Sequence, residues 1–477
     1  MIYDVIIGGA GVIGGVLARQ LSKYKLKICI LEKENDVACG ASKANSGIIH
    51  GGYDPEPGTL KAKLNAEGVE KLYSLAKELN VPYKNNGSFV CAFNKEEEES
   101  LKTLYKRGLE NKITGLEIID GEKARKLEPM LSKEITAVLN VPTAGIICPY
   151  ELTIASIGNA IDNGTTLITN FEISNIIKKE NLFEITSSNG DVKIGKYFIN
   201  CAGCNSDKIA KLIGENSFEI IPRAGEYILL DKSEGQKICH TIFQVPSKDG
   251  KGILVSPTVD GNLLTGPTAA KVTSGNNTET TANGLELVEK LSKKSVPGIN
   301  FKNTITSFAG VRASEKGQDF IIEESKVKNN FINVAAIDSP GLTSCVSIAD
   351  YVIELLKNIG LTLNQKKDFC PTRKDPHFFR KMTDEEKQEY IMSHPDYGKI
   401  VCRCEEITEG EIKFAINQNP KATDVDGVKR RTRSGMGRCQ GGFCSSYVLK
   451  ILAKENNIAM EDVTKKGLGS YIVTGKI

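Results

Sequence analysis

The stretch Asp4-Val5-Ile6-Ile7-Gly8-Gly9-Ala10-Gly11-Val12-Ile13-Gly14-Gly15 decides the fold. An apolar run, a glycine loop and a renewed apolar run predict a strand, a turn and a helix. Gly9, Gly11 and Gly14 fall at the G-x-G-x-x-G spacing, and each has its own physical role, in a tight turn, in close backbone approach to a pyrophosphate, and in close packing of helix on strand. The helix N-terminus, with unpaired N–H groups and a favourable dipole, would receive the diphosphate. Alone, such glycines also mark ordinary turns. Here an amphipathic stretch follows from Val16 to Ser22, and a second apolar run, Lys27-Ile28-Cys29-Ile30-Leu31, ends at Glu32, 18 residues after Gly14. A carboxylate there suits a ribose hydroxyl pair. The pattern does not separate FAD from a nicotinamide dinucleotide.

The chain has 477 residues, room for two to four domains. With 62 basic and 59 acidic residues its net charge is +3, which gives no case for a nucleic-acid partner. No run of 18 apolar residues predicts a membrane span, and the first apolar run is too short for a signal peptide. The expectation is a soluble, cytoplasmic protein. Of 13 cysteines, those scattered from Cys29 to Cys370 read as small buried hydrophobes. Those bunched near the C-terminus read as metal ligands rather than disulfides in a reducing compartment.

After Glu32, the small polar segment Gly40-Ala41-Ser42-Lys43-Ala44-Asn45-Ser46-Gly47-Ile48-Ile49-His50-Gly51-Gly52 lets backbone lie flat on a ligand. His50, one of four histidines, stands among loop glycines rather than on an apolar helix face. Helical periodicity covers Leu60 to Leu79, Lys95 to Lys106 behind a solvated acidic first turn, and Leu152 to Asp162. Strands are expected at Gly87 to Phe93 and Ala144 to Pro149, and in short pieces from Leu167 to Ile194. An apolar run, Lys196-Tyr197-Phe198-Ile199-Asn200-Cys201-Ala202-Gly203, suits a second backbone approach to the dinucleotide. From Ile220 to Pro267 turn-separated apolar runs suggest an antiparallel sheet and a substrate domain. Phe331 to Ala336, then Pro340-Gly341-Leu342-Thr343 and a helix from about Cys345 to Asn358, repeat the opening device. Arg312 has the planar fork that suits an anionic substrate group, a structural ion pair being the other use of such a residue.

Past a Lys-, Asp- and Pro-rich boundary stand Cys402, Cys404, Cys439 and Cys444: C-x-C, 34 residues, then C-x4-C. Structural zinc sites usually space their pairs C-x2-4-C, so an iron–sulfur centre fits better, with zinc the runner-up. The basic Lys429-Arg430-Arg431-Thr432-Arg433 has three readings: it offsets thiolate charge, is solvated, or meets an acidic partner.

On the glycine loop, Asn45 to His50, Pro222-Arg223-Ala224-Gly225-Glu226-Tyr227, Gly310-Val311-Arg312 and Asp338 to Thr343, residues 1 to about 360 resemble D-amino-acid-oxidase-type FAD-dependent oxidoreductases. Anaerobic-type glycerol-3-phosphate dehydrogenases and L-2-hydroxyglutarate dehydrogenases are the nearest in pattern. Residues from about 398 to 450 resemble the bacterioferritin-associated-ferredoxin-like 2Fe-2S domain. The resemblance implies an α/β fold: a discontinuous Rossmann-like FAD-binding domain (1–80, 145–215, 305–365), an inserted antiparallel-sheet substrate domain (81–144, 216–304), a linker (366–397) and a small helical 2Fe-2S domain with tail (398–477). It implies FAD contacts at Gly9, Gly11, Gly14, Glu32, Lys33, Ser42, Ser46, Gly47, Ile173, Ala202, Gly203, Gly341, Leu342 and Thr343. Cys402, Cys404, Cys439 and Cys444 would hold the 2Fe-2S cluster, with His50 as base and Arg312 as anion anchor.

The expected activity is oxidation of sn-glycerol 3-phosphate to dihydroxyacetone phosphate, with electrons passing through the cluster to an acceptor protein, a second flavoprotein subunit being one form of it. The Asn-Ser-Gly-Ile-Ile-His form is shared with hydroxyglutarate enzymes, so L-2-hydroxyglutarate or another 2-hydroxy acid is the alternative substrate. An electron-transfer subunit with no organic substrate is the alternative of another class.

Overall fold

The computed structural model describes residues 1–246 and 252–475; 247–251, within the expected substrate domain, and 476–477, at the end of the expected tail, lie outside the described residues. The described residues form one eight-stranded and one nine-stranded sheet, with two smaller sheets. In the first, Ile173–Lys179, Leu182–Ser187, Val192–Asn200, Ile2–Gly8, Ile28–Leu31 and Thr166–Ile168 follow in that order. Phe331–Ala335 joins the far half of Val192–Asn200, and Ile321–Glu324 pairs with it. The central strands are parallel and buried on both faces, which is why they read as unbroken apolar runs. Helices Val12–Leu21, Pro149–Asp162, Gly341–Asn358 and Leu60–Glu78 cover one face. Phe171, Phe183, Phe198 and Phe331 fill the other.

Register fixes where the loops emerge. Gly8 stands opposite Leu31 and Asn200, so three strands end in one row, with Asn333 of the fourth, Phe331–Ala335, beside it and that strand running two residues further. The buried Asn200 Nδ2 donates to Asn333 Oδ1 at 3.0 Å, tying the end of one strand to the middle of its neighbour. Loops starting at Gly9, Glu32, Cys201 and Ala336 therefore share one crevice, the place where open parallel sheets bind ligands.

The second sheet departs from the all-antiparallel expectation. Thr241–Gln244 runs parallel to Ser88–Ala92, the remaining pairs being antiparallel. The two strands belong to separate segments of the chain, so no hairpin dictates their direction. Its long ladder pairs Ile221–Leu230 with Thr304–Ser314, setting Arg223 opposite Arg312 and Tyr227 opposite Phe308. Several bounds also shift. The helix expected from Leu152 starts at Pro149, whose fixed φ suits a first turn, and the helix expected from Cys345 starts at Gly341.

The stretch 366–397 is more than connecting chain: it holds the helix Asp384–Ser393, capped by Thr383 and Glu386, and the packed rings of Phe378, Phe379, Tyr390 and Tyr397. Beyond it, helices Glu409–Asn417, Val425–Thr432 and Ser445–Asn456 enclose a core of Ile407, Ile412, Val428 and Leu452. No helix among the described residues is long and apolar enough to cross a membrane.

This C-terminal unit docks through buried ions. Arg431 Nη1 and Nη2 each lie 2.8 Å from the Asp36 carboxylate, and Arg430 Nη2 lies 2.5 Å from it. Arg433 holds Asp260 at 2.6 Å and Glu405 at 3.0 Å. The arginines of the basic run therefore form an interface, not a solvated face, and their carboxylate partners occupy them before any acidic protein could. Burial pushes the Asp36 carboxyl up, but the Arg431 guanidinium, then Arg430, overrides this and holds it at about 2 against an ordinary 3.8.

Asp36→Asn is expected to weaken docking by about 3–5 kcal/mol, because two guanidinium groups lose their shared anion. Hydrogen exchange at Val425–Thr432 reads this, and unchanged protection would refute it. Because the folded pKa is depressed, the carboxylate's contribution is complete above about pH 4 and is lost as pH falls toward about 2.

Candidate functional site

A cavity of about 1340 Å³ opens where the strand ends meet and runs on toward the second sheet. The glycine loop forms its floor. Gly9 has φ +112°, and a Cβ there would lie 2.5 Å from the Cys201 carbonyl oxygen. A Cβ on Gly14 would overlap the Gly9 carbonyl oxygen, so this glycine packs helix on loop and does not reach the cavity as expected of a cofactor contact. Gly11 does line it, as N-cap of Val12–Leu21 with no side-chain cap of its own. The Val12 N–H donates to Ser42 Oγ at 2.9 Å, and Ile13 faces the cavity beside it. A ten-residue helix whose N-cap glycine brings no side chain, its first turn lining a cavity, suits a diphosphate.

Glu32 is buried at the next strand end. Its Oε2 accepts Ala10 N–H at 2.7 Å and its Oε1 accepts Glu34 N–H at 3.0 Å. Burial raises its pKa, the backbone bonds from Glu34 and Ala10 opposing the rise. Its carboxylate thus fixes the loop and presents acceptors at the cavity edge, where a ribose fits. Lys33, Ser42, Ser46, Gly47, Ile173, Ala202, Gly203, Gly341 and Leu342 line the same space. Gly47 and Gly203 have positive φ, and a Cβ on Gly203 would meet nothing, which leaves open backbone for a ligand.

Thr343 does not line the cavity. It is fully buried, and its Oγ1 accepts the His50 N–H at 2.8 Å. A residue expected to touch cofactor therefore positions the histidine. Asn65 Nδ2 donates to the His50 carbonyl at 3.0 Å, and His50 Nε2 lies 3.2 Å from Ser339 Oγ. Phe243 stands 5.9 Å from the imidazole, centroid to centroid.

Arg312 reaches the cavity from the long ladder, Nη2 donating to the Thr268 carbonyl at 2.7 Å. This neutral partner leaves the positive charge for an anion. Tyr227 and Phe308 stack at 4.9 Å beside it, and Tyr227 OH lies 3.3 Å from Ser46 Oγ. Burial pushes the Tyr227 phenol up, Arg312 pulling the other way. His50, Arg312 and the stacked rings share one chamber, continuous with the glycine crevice.

The four C-terminal cysteines converge as two pairs. Cys404 Sγ and Cys439 Sγ are 3.6 Å apart near the surface; Cys402 and Cys444 are buried, and Ser434 Oγ donates to Cys444 Sγ at 3.7 Å. The Cys444 thiol lowers Cys402 to about 5, helped by N–H groups of Gly435, Glu405 and Cys404. Backbone N–H of Phe443, then Gly441, likewise favours the Cys439 thiolate. A Cβ on Gly437 would overlap Cys404 Cβ, so the loop closes on the sulfurs only with glycine there. Four thiols with backbone donors turned toward them fit a two-iron cluster.

Two residues without a sequence signal complete the arrangement. Tyr150, just past Cys148-Pro149, and Met436, three residues before Cys439, both line the cavity, and Tyr150 OH donates to Met436 Sδ at 3.6 Å. The cysteine loop thus touches the dinucleotide crevice.

Comparisons with known proteins agree with this geometry. Residues 4–355 match the FAD dependent oxidoreductase family, and 400–454 match the BFD-like [2Fe-2S] binding domain. Glycerol 3-phosphate dehydrogenase of Caloramator mitchellensis is 47% identical over 473 residues, covering 99% of this chain and 98% of that protein. The mitochondrial L-2-hydroxyglutarate dehydrogenase of Dictyostelium discoideum is 30% identical over 428 residues, 76% of this chain and 94% of its own. The dithionite-reduced L-alpha-glycerophosphate oxidase of Mycoplasma pneumoniae with FAD bound superposes with a TM-score of 0.75 at 33% identity, covering 78% of this chain and 98% of that one. The dinucleotide left open by the glycine loop is FAD, and the cysteines are those of a [2Fe-2S] site. The chain belongs to the FAD-dependent oxidoreductase family and carries a BFD-like [2Fe-2S] binding domain at its C-terminal end.

Proposed function

We propose that this enzyme oxidises sn-glycerol 3-phosphate to dihydroxyacetone phosphate in the cytoplasm and delivers the electrons to a partner protein. The observation that carries this reading is one chamber holding an imidazole and a guanidinium that has no carboxylate partner among the described residues, in a chain that matches a glycerol 3-phosphate dehydrogenase along its whole length.

Gly9 and Gly11 would hold the pyrophosphate with the Val12 helix, Glu32 the adenosine ribose, and Ser46, Gly47, Gly341 and Leu342 the flavin end. Residues 1–80, 145–215 and 315–365 would thus serve the cofactor, with 81–144 and 216–314 roofing the substrate; the boundary expected at 305 cuts Thr304–Ser314, a strand of the second sheet that carries Arg312. Bound FAD supplies an acceptor for hydride from the alcohol carbon, and the [2Fe-2S] centre a one-electron carrier. Arg312 binds the phosphate with its free N–H groups, which sets the hydroxyl toward His50. His50, held through its backbone by Thr343 and Asn65, keeps one ring lone pair in either tautomer and takes the hydroxyl proton as the carbonyl forms. Tyr227, Phe308 and Phe243 exclude water around this transfer.

The acceptor reading draws support from the cysteine loop, which spans from the cavity wall at Met436 to Cys439, whose sulfur lies 3.6 Å from that of exposed Cys404. Phe443, 82% exposed beside Cys444, offers an apolar contact there. Oxidation of L-2-hydroxyglutarate is the second reading, favoured by the 30% identity to that dehydrogenase and by an Arg312 equally suited to carboxylate.

Under anaerobic conditions glycerol 3-phosphate is expected to bleach the flavin band and L-2-hydroxyglutarate to leave it; the reverse result sinks the first reading. His50→Asn should slow that bleaching by about 10²–10⁴-fold with FAD content retained. Arg312→Gln should weaken substrate binding by roughly 1.5–3 kcal/mol, the worth of a charged hydrogen bond.

Cys402→Ser should remove the cluster's visible absorption and stop reduction of protein acceptors while substrate still bleaches the flavin. If acceptor reduction persists in that variant, the relay is wrong.

A further inference from the structure

The cavity wall at the Glu32 end is not built by the oxidoreductase fold alone. Lys429, Lys465 and Lys466, all from the C-terminal domain, line it together with Glu32 and Lys33. They are held there by the loop after Glu32. Asn35 Nδ2 donates to Asp424 Oδ2 at 2.6 Å, Arg430 and Arg431 close on Asp36, and a Cβ on Gly467 would lie 2.7 Å from Asn35 Oδ1.

Charge is unevenly matched on this wall. Lys33 pairs with Glu34 at 3.0 Å and Lys465 with Asp426 at 3.1 Å. Lys429 has no carboxylate within 4.0 Å among the described residues, although it is half-buried, and burial lowers its pKa against the pull of Asp426. A half-buried ammonium without a counter-ion is unfavourable unless an anion joins it. The Mycoplasma pneumoniae oxidase, 98% of which is covered by 78% of this chain, binds FAD as a smaller protein. A wall from a second domain is thus no requirement of the fold, and its lysines call for a function of their own.

We propose that the [2Fe-2S] domain is a working wall of the FAD site, with Lys429 as the ammonium that meets the phosphate-bearing adenosine half of the cofactor. This rests on the assignment of Glu32 to the adenosine ribose. By linkage, FAD and domain docking stabilise each other: the cofactor neutralises Lys429, and docking brings Lys429 to the cofactor. The same docked position brings Met436 to the cavity, so cofactor occupancy and placement of the cysteine loop are tied.

The test is equilibrium binding of FAD to flavin-free, cluster-loaded full-length protein, read by flavin fluorescence. Lys429→Ala is expected to weaken FAD about tenfold, with Lys429→Arg restoring most of it, since either cation serves a phosphate. ADP, as competitor, should weaken by the same factor, whereas riboflavin, lacking the adenosine half, should not. In the unsubstituted protein FAD should raise hydrogen-exchange protection of Val425–Thr432. An FAD affinity within twofold of the parent in Lys429→Ala with the cluster spectrum intact, an equal loss for riboflavin, or no FAD-dependent protection each overturns the proposal. None of these readings uses a substrate, so failure of the glycerol phosphate assignment and failure of this wall show separately.

Discussion

Everything in the dinucleotide half depends on a close approach that hydrogen alone permits. The first helix starts so near the strand it follows that a Cβ at Gly14 would overlap the Gly9 carbonyl oxygen, and a Cβ at Gly9 would strike the carbonyl of Cys201. Because both side chains are missing, the loop lies flat between two parallel strands, and the helix meets the crevice at an N-terminus where Gly11 brings no side chain. The strand register then does the rest. With Gly8, Leu31, Asn200 and Asn333 in one row, segments far apart in sequence open on one line, and the cavity follows from their alignment.

What was legible in the sequence is what local chemistry determines. The glycine loop, the buried parallel strands and the cysteine spacing each carry a short-range reason, and each stands where it was expected. Contacts across long separations were not legible. Thr343 lies in a motif that reads as cofactor contact, yet its hydroxyl holds the backbone of His50, 293 residues earlier. Tyr150 and Met436 meet across 286 residues with no spacing to announce them. The run from Lys429 to Arg433 could not be decided among its three readings, because a basic run shows its role only once its anions are known. Asp36, the anion that two of them share, lies almost 400 residues away in an unremarked loop.

That ionic choice of interface has consequences. Guanidinium and carboxylate groups buried together gain little over well-packed apolar side chains, yet losing one partner strands the others in low dielectric. The interface is thus weakly favourable when complete and sharply unfavourable when incomplete. Arg433 extends the same logic, meeting Asp260 from the second sheet and Glu405 from the cysteine domain at once. One side chain so ties the cysteine domain to the second sheet, and the docked geometry must satisfy both of its carboxylates at once.

Fixed geometry matters most at the cysteines, which present two different environments. Cys402 and Cys444 are buried beside Ser434, whereas Cys404 stands exposed with Cys439 next to it. In the proposed reading electrons enter from the flavin and leave to a protein, and these needs conflict. Entry requires contact with a sealed, dry cavity; exit requires a sulfur near the surface. The loop reconciles them by its shape, with Met436 against Tyr150 in the cavity wall and Cys439 three residues on, at the rim. A loop this short cannot hold both ends in place by itself. It does so because glycines at 435, 437 and 441 let it turn tightly over the sulfurs, and because Arg433, at its base, is held by three partners in a buried network. The glycines that shape the cysteine site and the ions that dock its domain therefore act on one segment, and neither alone would bring the thiols within reach of both the cavity and the surface.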